Sequence, residues 1–280
     1  MTTVIPASTS LSEAWARTLG AVQDAGGTAL HVVTTVTDPT KWGTLDHQVV
    51  QKFHRDAQSS AKPIETVAST IFPQDLYRWQ GRLWHPELPE DERQEIDAAA
   101  QELFTDYQEM LPLIASDPSN TWQSTYFGRM VEWPKSKPPT NQLQWCIGYL
   151  RTQLRTGKGR ANSADIATGG EGELGSIQIH KSDERRIVGG PCLVHVDFSV
   201  HKDRLSLLAT YRHWHLVDRA LGNLLGLSRL LRFMSEQSGY PVGELTVISG
   251  MANAQRDGFG GKRGIDGLLQ ATIEASGGWR

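Results

Sequence analysis

Residues 191–250, PCLVHVDFSVHKDRLSLLATYRHWHLVDRALGNLLGLSRLLRFMSEQSGYPVGELTVISG, contain the pattern that decides the fold. From Leu193 to His201 apolar and polar residues alternate, which predicts a half-buried strand with one polar face. A two-residue turn leads to a second strand, Leu205 to Tyr211, and the two strands form a predicted hairpin. A long apolar helix, roughly Leu216 to Glu236, and a last strand, Glu244 to Ser249, follow. Strands and helices in this order predict an α/β fold.

The sequence upstream of this stretch predicts further helices and strands. Ser10 and Glu13 have the spacing of a capping box at the start of a helix. The predicted elements are a helix over Ser10–Val22, a strand over Ala29–Val36, a helix from Ile64 that ends before Pro73, an acidic helix over Pro89–Glu109 and a helix over Gln142–Thr156. Residues 157–175 are rich in Gly, Ser and Ala and show no periodicity, so we expect a mobile loop there.

Composition and charge set limits on the class of protein. The 280 residues are 39% hydrophobic and 21% charged, which suits a single globular domain over residues 1–280. The net charge of −3 argues against a protein that coats nucleic acid. Cys146 and Cys192 are too few for a disulfide framework, and there is neither a signal-peptide pattern nor a long apolar run. We therefore expect a cytoplasmic protein that has no nucleic-acid or membrane partner and no metal site.

Cys192 is the residue that first suggests chemistry. Pro191 fixes the backbone directly before it, and a strand begins directly after it. A solitary cysteine is more often a small buried hydrophobic residue, so its context has to support a catalytic role. That context is the order Cys192, two strands, Arg212, and a long helix with Asn223 in its second turn.

This order resembles the thymidylate synthase and deoxycytidylate hydroxymethylase family. In that family a Pro-Cys pair precedes two strands that end in an arginine, and an asparagine follows in a long apolar helix. Residues 191–250 match the pattern without a gap, with 20 residues from Cys192 to Arg212 and 11 from Arg212 to Asn223. The resemblance implies a mixed β-sheet with a long buried helix and flanking helices, in a homodimer. It also implies transfer of a one-carbon unit from 5,10-methylenetetrahydrofolate to C5 of a pyrimidine nucleotide.

The resemblance gives each of these residues a role. Cys192 would add to C6 of the pyrimidine as a thiolate, which a neighbouring guanidinium such as that of Arg212 would stabilise. Arg212 is otherwise a surface cation at the end of a strand. Asn223 would read the base through its amide, and it is otherwise a helix-packing asparagine that bonds to backbone.

Two further catalytic candidates lie toward the N-terminus, where the resemblance is looser. Glu65 occupies the place of the family's glutamate and would relay protons, although it also suits the first turn of a helix as a plain charge. The segment TYFGRM resembles the family's Tyr-Gly motif, with Tyr126 or Phe127 in the place of the tyrosine.

The sequence departs from the family where the substrate would be held. Leu193 stands where the family has a histidine, and His213 and His215 stand where it has a serine and an aspartate, so we expect these two histidines to contact the substrate. The family's Asp-x-His-x-Tyr motif is replaced by Met251, Asn253 and Gln255. Asn253 and Gln255 are predicted to hydrogen-bond a hydroxyl of the substrate.

Recognition of phosphate and folate has also changed. The family's N-terminal Arg-Thr-Gly loop is absent, and Glu171 and Glu173 stand where paired arginines are expected. The cations that could replace them are Arg160, Arg185, Lys262 and Arg263. The segment GFGGKRG, residues 258–264, is interpreted as a flexible loop rather than an anion cradle. Trp79 and Trp84 either stack on a pterin or serve as packing residues.

These observations lead to one functional hypothesis and two rivals. The hypothesis is a pyrimidine C5 methylase or hydroxymethylase of a specialised modified-nucleotide pathway. Asn223 favours a uracil-type ring, and the altered C-terminal tail favours hydroxymethylation. One rival is a non-catalytic nucleotide-binding or regulatory protein that has the same fold. The other, a thiol hydrolase built on Cys192 and His195, is disfavoured because the two side chains point to opposite faces of a strand.

Overall fold

The computed structural model describes residues 2–41, 62–117, 124–132, 140–158, 164–167, 191–258 and 260–275. In chain order the elements are β1 (Thr3–Val4), α1 (Leu11–Asp24), β2 (Thr28–Val36), α2 (Ile64–Ser69), α3 (Glu90–Ser116), α4 (Tyr126–Val131), α5 (Gln142–Thr156), β3 (Ala164–Ala167), β4 (Leu193–His201), β5 (Arg204–His215), α6 (Leu221–Ser238), β6 (Val242–Asn253) and α7 (Gly261–Ala275). Short 3₁₀ turns cover Gln74–Leu76 and Arg256–Gly258, and a π-helical turn covers Leu216–Ala220.

Among the described residues the sheet has six strands, in the order β1-β2-β6-β5-β4-β3. Strand β1 runs parallel to β2, whereas β2 pairs antiparallel with β6 and β3 pairs antiparallel with β4. The sheet is therefore mixed. The predicted α/β class, with a mixed sheet, a long buried helix and flanking helices, is confirmed.

Helix α6 is the long buried helix, and its apolar stripe was predicted correctly. Leu221, Leu224, Leu227 and Leu231 are all buried, as is Ala220 in the π-helical turn that precedes the helix. Residues spaced in this way lie on one face of a helix, so the stripe forms part of the core.

The described residues group into two compact units. Unit 1 comprises Met1–Ser69, Leu208–Ser228 and Gly243–Arg280, and unit 2 comprises Thr70–Leu207 and Arg229–Val242. The single domain over residues 1–280 stays a prediction.

The core of unit 1 includes helix α1, which the sequence predicted together with its cap. The Ser10 hydroxyl accepts a hydrogen bond from the Glu13 N–H (3.3 Å), as in a capping box. The apolar stripe of the helix is buried, and its Trp15 donates its indole N–H to the Leu216 carbonyl (2.7 Å). This bond ties α1 to the π-helical turn that precedes α6.

Unit 2 contains the first strand of the predicted hairpin, β4, and the turn that follows it. Its turn residues, Lys202 and Asp203, have φ values of 49° and 57°. Two successive positive φ values define a type I′ turn, whose twist matches the right-handed twist of the flanking strands. The predicted strand over residues 193–201 is confirmed at both ends.

A buried carboxylate fixes the segment between α2 and α3 within unit 2. The Glu236 side chain accepts hydrogen bonds from the Tyr77 hydroxyl (2.6 Å) and from the N–H groups of Gln80 and Gly81 (3.1 Å each). Burial and then the bond to Glu236 raise the pKa of Tyr77 well above its ordinary value. Three donors compensate the desolvation of this carboxylate, so the segment is anchored by polar contacts.

Two loop predictions were wrong. Residues 164–167 form strand β3, which pairs with β4 through Ala164 opposite Phe198 and Ala167 opposite His195. Four residues are too few to show a period in the sequence, and pairing with β4 supplies the stabilisation. Residues 261–264 belong to helix α7 and do not form a flexible loop.

Helix α7 forms despite its glycines because it packs on α1. Its Ile265, Leu268 and Thr272 are buried at helical spacing. The Gln23 side chain of α1 donates to the Lys262 carbonyl (3.0 Å) and to the Asp266 carboxylate (2.8 Å). Tertiary contacts of this kind outweigh the low helix propensity of glycine.

Helix α3 is longer than the sequence predicted, because it continues past Pro112 to Ser116. A Cβ placed on Gly128 of α4 would lie 2.9 Å from Leu111 Cδ2. The last turns of α3 therefore pack closely on α4, and this packing offsets the cost of the proline.

Gly222 allows α2 and α6 to approach closely in unit 1. A Cβ at Gly222 would lie 2.6 Å from Val67 Cβ and 2.8 Å from the Ile64 carbonyl oxygen. These separations are shorter than van der Waals contact, so only glycine fits there.

We expect Gly222→Ala to lower the free energy of unfolding by about 1–3 kcal/mol, because the added methyl group overlaps α2. Urea unfolding followed by circular dichroism measures this change. Gly20→Ala in α1 is the matched control, since its Cβ meets nothing within 4 Å, and it should stabilise the protein by about 0.5–1 kcal/mol. The same effect from both variants would contradict the close contact.

Candidate functional site

Tyr126 lies against the backbone of Cys192 in unit 2. The Tyr126 hydroxyl oxygen accepts hydrogen bonds from the N–H groups of Cys192 (3.1 Å) and Leu193 (3.3 Å). The Tyr126 side chain is 7% exposed and the Cys192 side chain is half-buried. The hydroxyl thus holds the chain where β4 begins, directly beside the proposed nucleophile.

Helix α4 positions this hydroxyl. The Thr125 side chain caps the helix by accepting a hydrogen bond from the Gly128 N–H (3.0 Å). Tyr126 is the first helical residue, and Phe127 after it is fully buried against the rings of Phe72 and Tyr107. Of the two alternatives for the family's tyrosine, the structure brings Tyr126 to Cys192 and places Phe127 in the core.

Leu193, the residue after Cys192, is an apolar core residue. Its side chain is completely buried at the start of β4. A polar imidazole at this position would lose its hydration without gaining a partner in an apolar environment. The position therefore favours an apolar side chain.

The two thiols have different environments. Cys146, on α5, is fully buried, and this burial, followed by the charges of Asp165 and Asp197, raises its pKa to about 12. Its thiol is therefore almost entirely protonated at neutral pH, and it behaves as a core residue. Cys192 is the more accessible thiol of the pair.

Arg212 is exposed on β5 in unit 1, beside a distortion of the neighbouring strands. A Cβ on Gly250 of β6 would lie 3.0 Å from the Arg212 carbonyl oxygen. On the next strand, β2, His31 has a φ of 52°, which non-glycine residues seldom adopt. The close approach at Gly250 constrains the backbone from which the guanidinium projects.

Asn223 is buried and hydrogen-bonded. Its side chain is 4% exposed, and its amide oxygen accepts a hydrogen bond from the Trp214 indole N–H (3.2 Å). Its partner is a side chain rather than the backbone that the alternative interpretation named. The amide nitrogen can donate, and the oxygen keeps one further lone pair beside the indole bond.

His213 and His215 lie side by side on β5. Their ring centroids are 4.2 Å apart with an angle of 40° between the planes. Burial lowers the pKa of both imidazoles, and the proximity of His213 lowers that of His215 further. Both rings are neutral near pH 7 and can donate or accept hydrogen bonds.

Asn253 and Gln255 use their side chains within unit 1. The Asn253 amide nitrogen donates to the Thr28 hydroxyl (3.0 Å), and its oxygen accepts from the Gln255 N–H (2.6 Å). The Gln255 side-chain oxygen accepts from the Asp218 N–H (2.8 Å). These bonds shape the turn after β6, and the predicted contact with a substrate hydroxyl stays a prediction.

The other predicted residues are dispersed. Glu65 is exposed in the first turn of α2. Lys262 pairs with Asp266 (2.7 Å) on α7, where Arg263 is also exposed. Arg160, Arg185, Glu171 and Glu173 lie outside the described residues.

The two tryptophans that were candidates for pterin stacking each lie beneath a guanidinium. Arg151 lies 4.4 Å from the ring centroid of Trp84, which is 6% exposed. Arg232 lies 4.2 Å from the ring centroid of Trp79. Both contacts are cation–π interactions that use a face of each ring, so the packing role is the one the structure shows.

A groove of about 480 Å³ in unit 2 was not predicted from the sequence. It runs between α3 and α5, over Phe104 and Ile147, and one end is polar. There Arg151 donates to Asp97 (2.6 Å) and to the Gln237 carbonyl (2.6 Å). No motif marks this groove, because its lining residues are dispersed over three helices.

No protein-family model matches the sequence, and no curated protein matches it at a significant level. Among solved structures, the crystal structure of thymidylate synthase from T4 phage matches with a TM-score of 0.36 and 10% sequence identity. The match covers 51% of this chain and 45% of that protein.

None of the described helices is long and apolar enough to cross a bilayer.

We expect iodoacetamide at neutral pH to alkylate Cys192 in the folded protein and to modify Cys146 at least about 100-fold more slowly, because a buried thiol with a high pKa has little thiolate. Peptide mass spectrometry measures both rates. In concentrated guanidinium chloride the two rates should converge. Equal rates in the folded protein would contradict the burial of Cys146.

Proposed function

We propose that this protein transfers a one-carbon unit to C5 of a pyrimidine nucleotide or nucleoside, with Cys192 as the covalent nucleophile. The observation that carries the proposal is the pair of hydrogen bonds from the N–H groups of Cys192 and Leu193 to the Tyr126 hydroxyl. These bonds fix the backbone next to the reactive sulfur, and fixing the nucleophile in one orientation reduces the entropic cost of attack.

The chemistry begins with addition of the thiolate to the ring. The sulfur of Cys192 forms a bond to C6, and the C5–C6 electron pair moves toward C5 as an enolate-like carbanion. C5 then attacks a one-carbon electrophile or takes a proton from solvent. For simple exchange, loss of the other C5 hydrogen as a proton and cleavage of the sulfur–C6 bond restore the aromatic ring and the thiolate. For transfer, loss of the C5 hydrogen as a proton would expel the donor from the one-carbon group. That group would then take a hydride from the reduced folate to become methyl, or water to become hydroxymethyl, as the sulfur–C6 bond breaks and the thiolate returns.

The remaining roles follow the resemblance. Arg212 would stabilise the thiolate, and Glu65 would relay protons through water. Asn223 would contact the base through its amide, whose nitrogen donates and whose oxygen, bonded to the Trp214 indole, keeps a second lone pair. A uracil-type base is proposed because the family's counterpart that acts on cytosine has an aspartate at this position.

His213 and His215 would contact an uncharged polar part of the substrate, because neutral imidazoles form hydrogen bonds without offering a full positive charge. Asn253 and Gln255 are the further candidates for a substrate hydroxyl. From these four residues we expect a pyrimidine nucleotide or nucleoside as substrate. The contacts to its sugar or phosphate should differ from those that the family makes to deoxyuridylate.

5,10-Methylenetetrahydrofolate is the one-carbon donor that the resemblance implies. Trp79 and Trp84 do not fit the role of pterin-stacking residues, because a guanidinium covers a face of each ring. The homodimer, the cytoplasmic location and hydroxymethylation rather than methylation are further parts of the proposal.

The test is release of tritium from C5-labelled pyrimidines, which requires only addition of the thiolate and exchange at C5. We expect at least one pyrimidine nucleotide or nucleoside to exchange. Cys192→Ala should reduce the rate by about 10³-fold or more, because the covalent step is lost. Cys146→Ala is the matched control and should retain exchange, since that thiol is buried in the core.

Absence of exchange with every pyrimidine tested, or exchange that persists in Cys192→Ala, would overturn the proposal. Saturable binding of a pyrimidine without exchange would instead indicate a non-catalytic binding protein. With an active substrate and methylenetetrahydrofolate, the product mass distinguishes a methyl group from a hydroxymethyl group.

A further inference from the structure

The groove between α3 and α5 has an apolar floor and a polar end. Ala100 and Phe104 of α3 and Ile147 of α5 lie along the floor. At the polar end the Asp97 side chain is 51% exposed and the Arg151 side chain is 15% exposed. A molecule in the groove therefore reaches an apolar surface and two accessible hydrogen-bonding groups. The groove volume of about 480 Å³ is in the range of small-molecule sites.

The Arg151 guanidinium is held in one orientation. Its Nε–H donates to the Gln237 carbonyl (2.6 Å), and its two terminal nitrogens donate to the Gln237 amide oxygen (3.1 Å) and to the Asp97 carboxylate (2.6 Å). The guanidinium carbon lies 4.4 Å from the ring centroid of Trp84. Within the described part of the chain, these bonds use three of the five N–H groups of a guanidinium, which leaves two donors on a preorganised group.

The two charges at the polar end cancel each other. Among the described residues that line the groove, only Asp97 and Arg151 are charged, and their side chains are 2.6 Å apart. Asp97 would repel an anionic ligand, and Arg151 would repel an ammonium group. A carboxamide or a lactam satisfies both residues, because it accepts from a guanidinium N–H and donates to a carboxylate oxygen.

Gly148 leaves the α5 side of the groove open. A Cβ at Gly148, which lines the groove, would meet nothing within 4 Å, so packing within the protein does not require a glycine here. Glycine inside a helix also lowers stability relative to alanine. The absence of a side chain at this position instead leaves room in the groove for a ligand.

We propose that this groove binds an uncharged aromatic molecule that has a carboxamide or lactam head. The head lies against Arg151 and Asp97, and the ring lies along Phe104 and Ile147. An aromatic body is favoured because aromatic pairs gain energy beyond the burial of apolar surface. The groove lies entirely within unit 2, and the inference does not depend on the proposed reaction.

The test is titration of the full-length protein at pH 7.5 with naphthalene-2-carboxamide and with naphthalene-2-carboxylate, followed by ligand-observed NMR. We expect saturable binding of the carboxamide, at least about tenfold tighter than that of the carboxylate. Gly148→Leu should weaken binding of the carboxamide at least about tenfold, because the leucine side chain occupies the groove. Thr152→Leu is the matched control, since Thr152 is exposed on the same helix and does not line the groove.

Asp97→Asn tests the recognition of the head and does not alter the floor. The variant removes the negative charge while Arg151 stays cationic, so naphthalene-2-carboxylate should bind at least as tightly as the carboxamide. In the wild type, saturating carboxamide should slow amide hydrogen exchange in residues 97–104 and 144–151, while α1 is unaffected. Absence of saturable carboxamide binding, equal binding by Gly148→Leu and the wild type, or an unchanged preference in Asp97→Asn would overturn the proposal.

Discussion

The hydrogen bonds from the N–H groups of Cys192 and Leu193 to the Tyr126 hydroxyl are the constraint on which the proposed site depends. A strand usually satisfies its backbone through neighbouring strands, but here the N–H groups of Cys192, directly before β4, and of Leu193, its first residue, bond to a side chain from a helix. The two bonds thus link the position of α4 to the start of β4. The bonds fix the backbone beside the proposed nucleophile.

The surroundings of Tyr126 make this constraint stiff. The Thr125 hydroxyl caps α4 and also bonds to the Tyr107 hydroxyl of α3. Burial raises the pKa of Tyr107 to about 12, so its phenol stays protonated and able to donate. Phe127, the next residue along α4, is locked among aromatic rings. A helix held by a cap, a core side chain and a buried phenol is a rigid support for a functional side chain.

The elements with a clear period were predictable from the sequence, whereas elements fixed by tertiary contacts were not. The alternation from Leu193 to His201 and the leucine stripe of α6 each follow from local patterns. Strand β3 and the glycine-containing start of α7 form because a neighbouring strand or helix stabilises them. Local propensity contains no information about those partners.

The candidate site, too, was predictable from the sequence only in part. The order Cys192, Arg212, Asn223 is visible in the sequence, but the partner of the Asn223 amide, Trp214, is not. Similarly, the sequence leaves Tyr126 and Phe127 as alternatives, because it does not say which of two adjacent helical side chains faces Cys192. Spacing thus named the candidate residues, and packing decided the partners of their side chains.

Amide hydrogen exchange in Tyr126→Phe tests the central constraint most directly. Phenylalanine keeps the ring and removes only the acceptor oxygen, so the account predicts roughly fivefold faster exchange at the amides of Cys192 and Leu193. The amide of Val196, further along β4, should exchange at the same rate in both proteins. Equal protection of Cys192 and Leu193 in the wild type and in Tyr126→Phe would contradict the account.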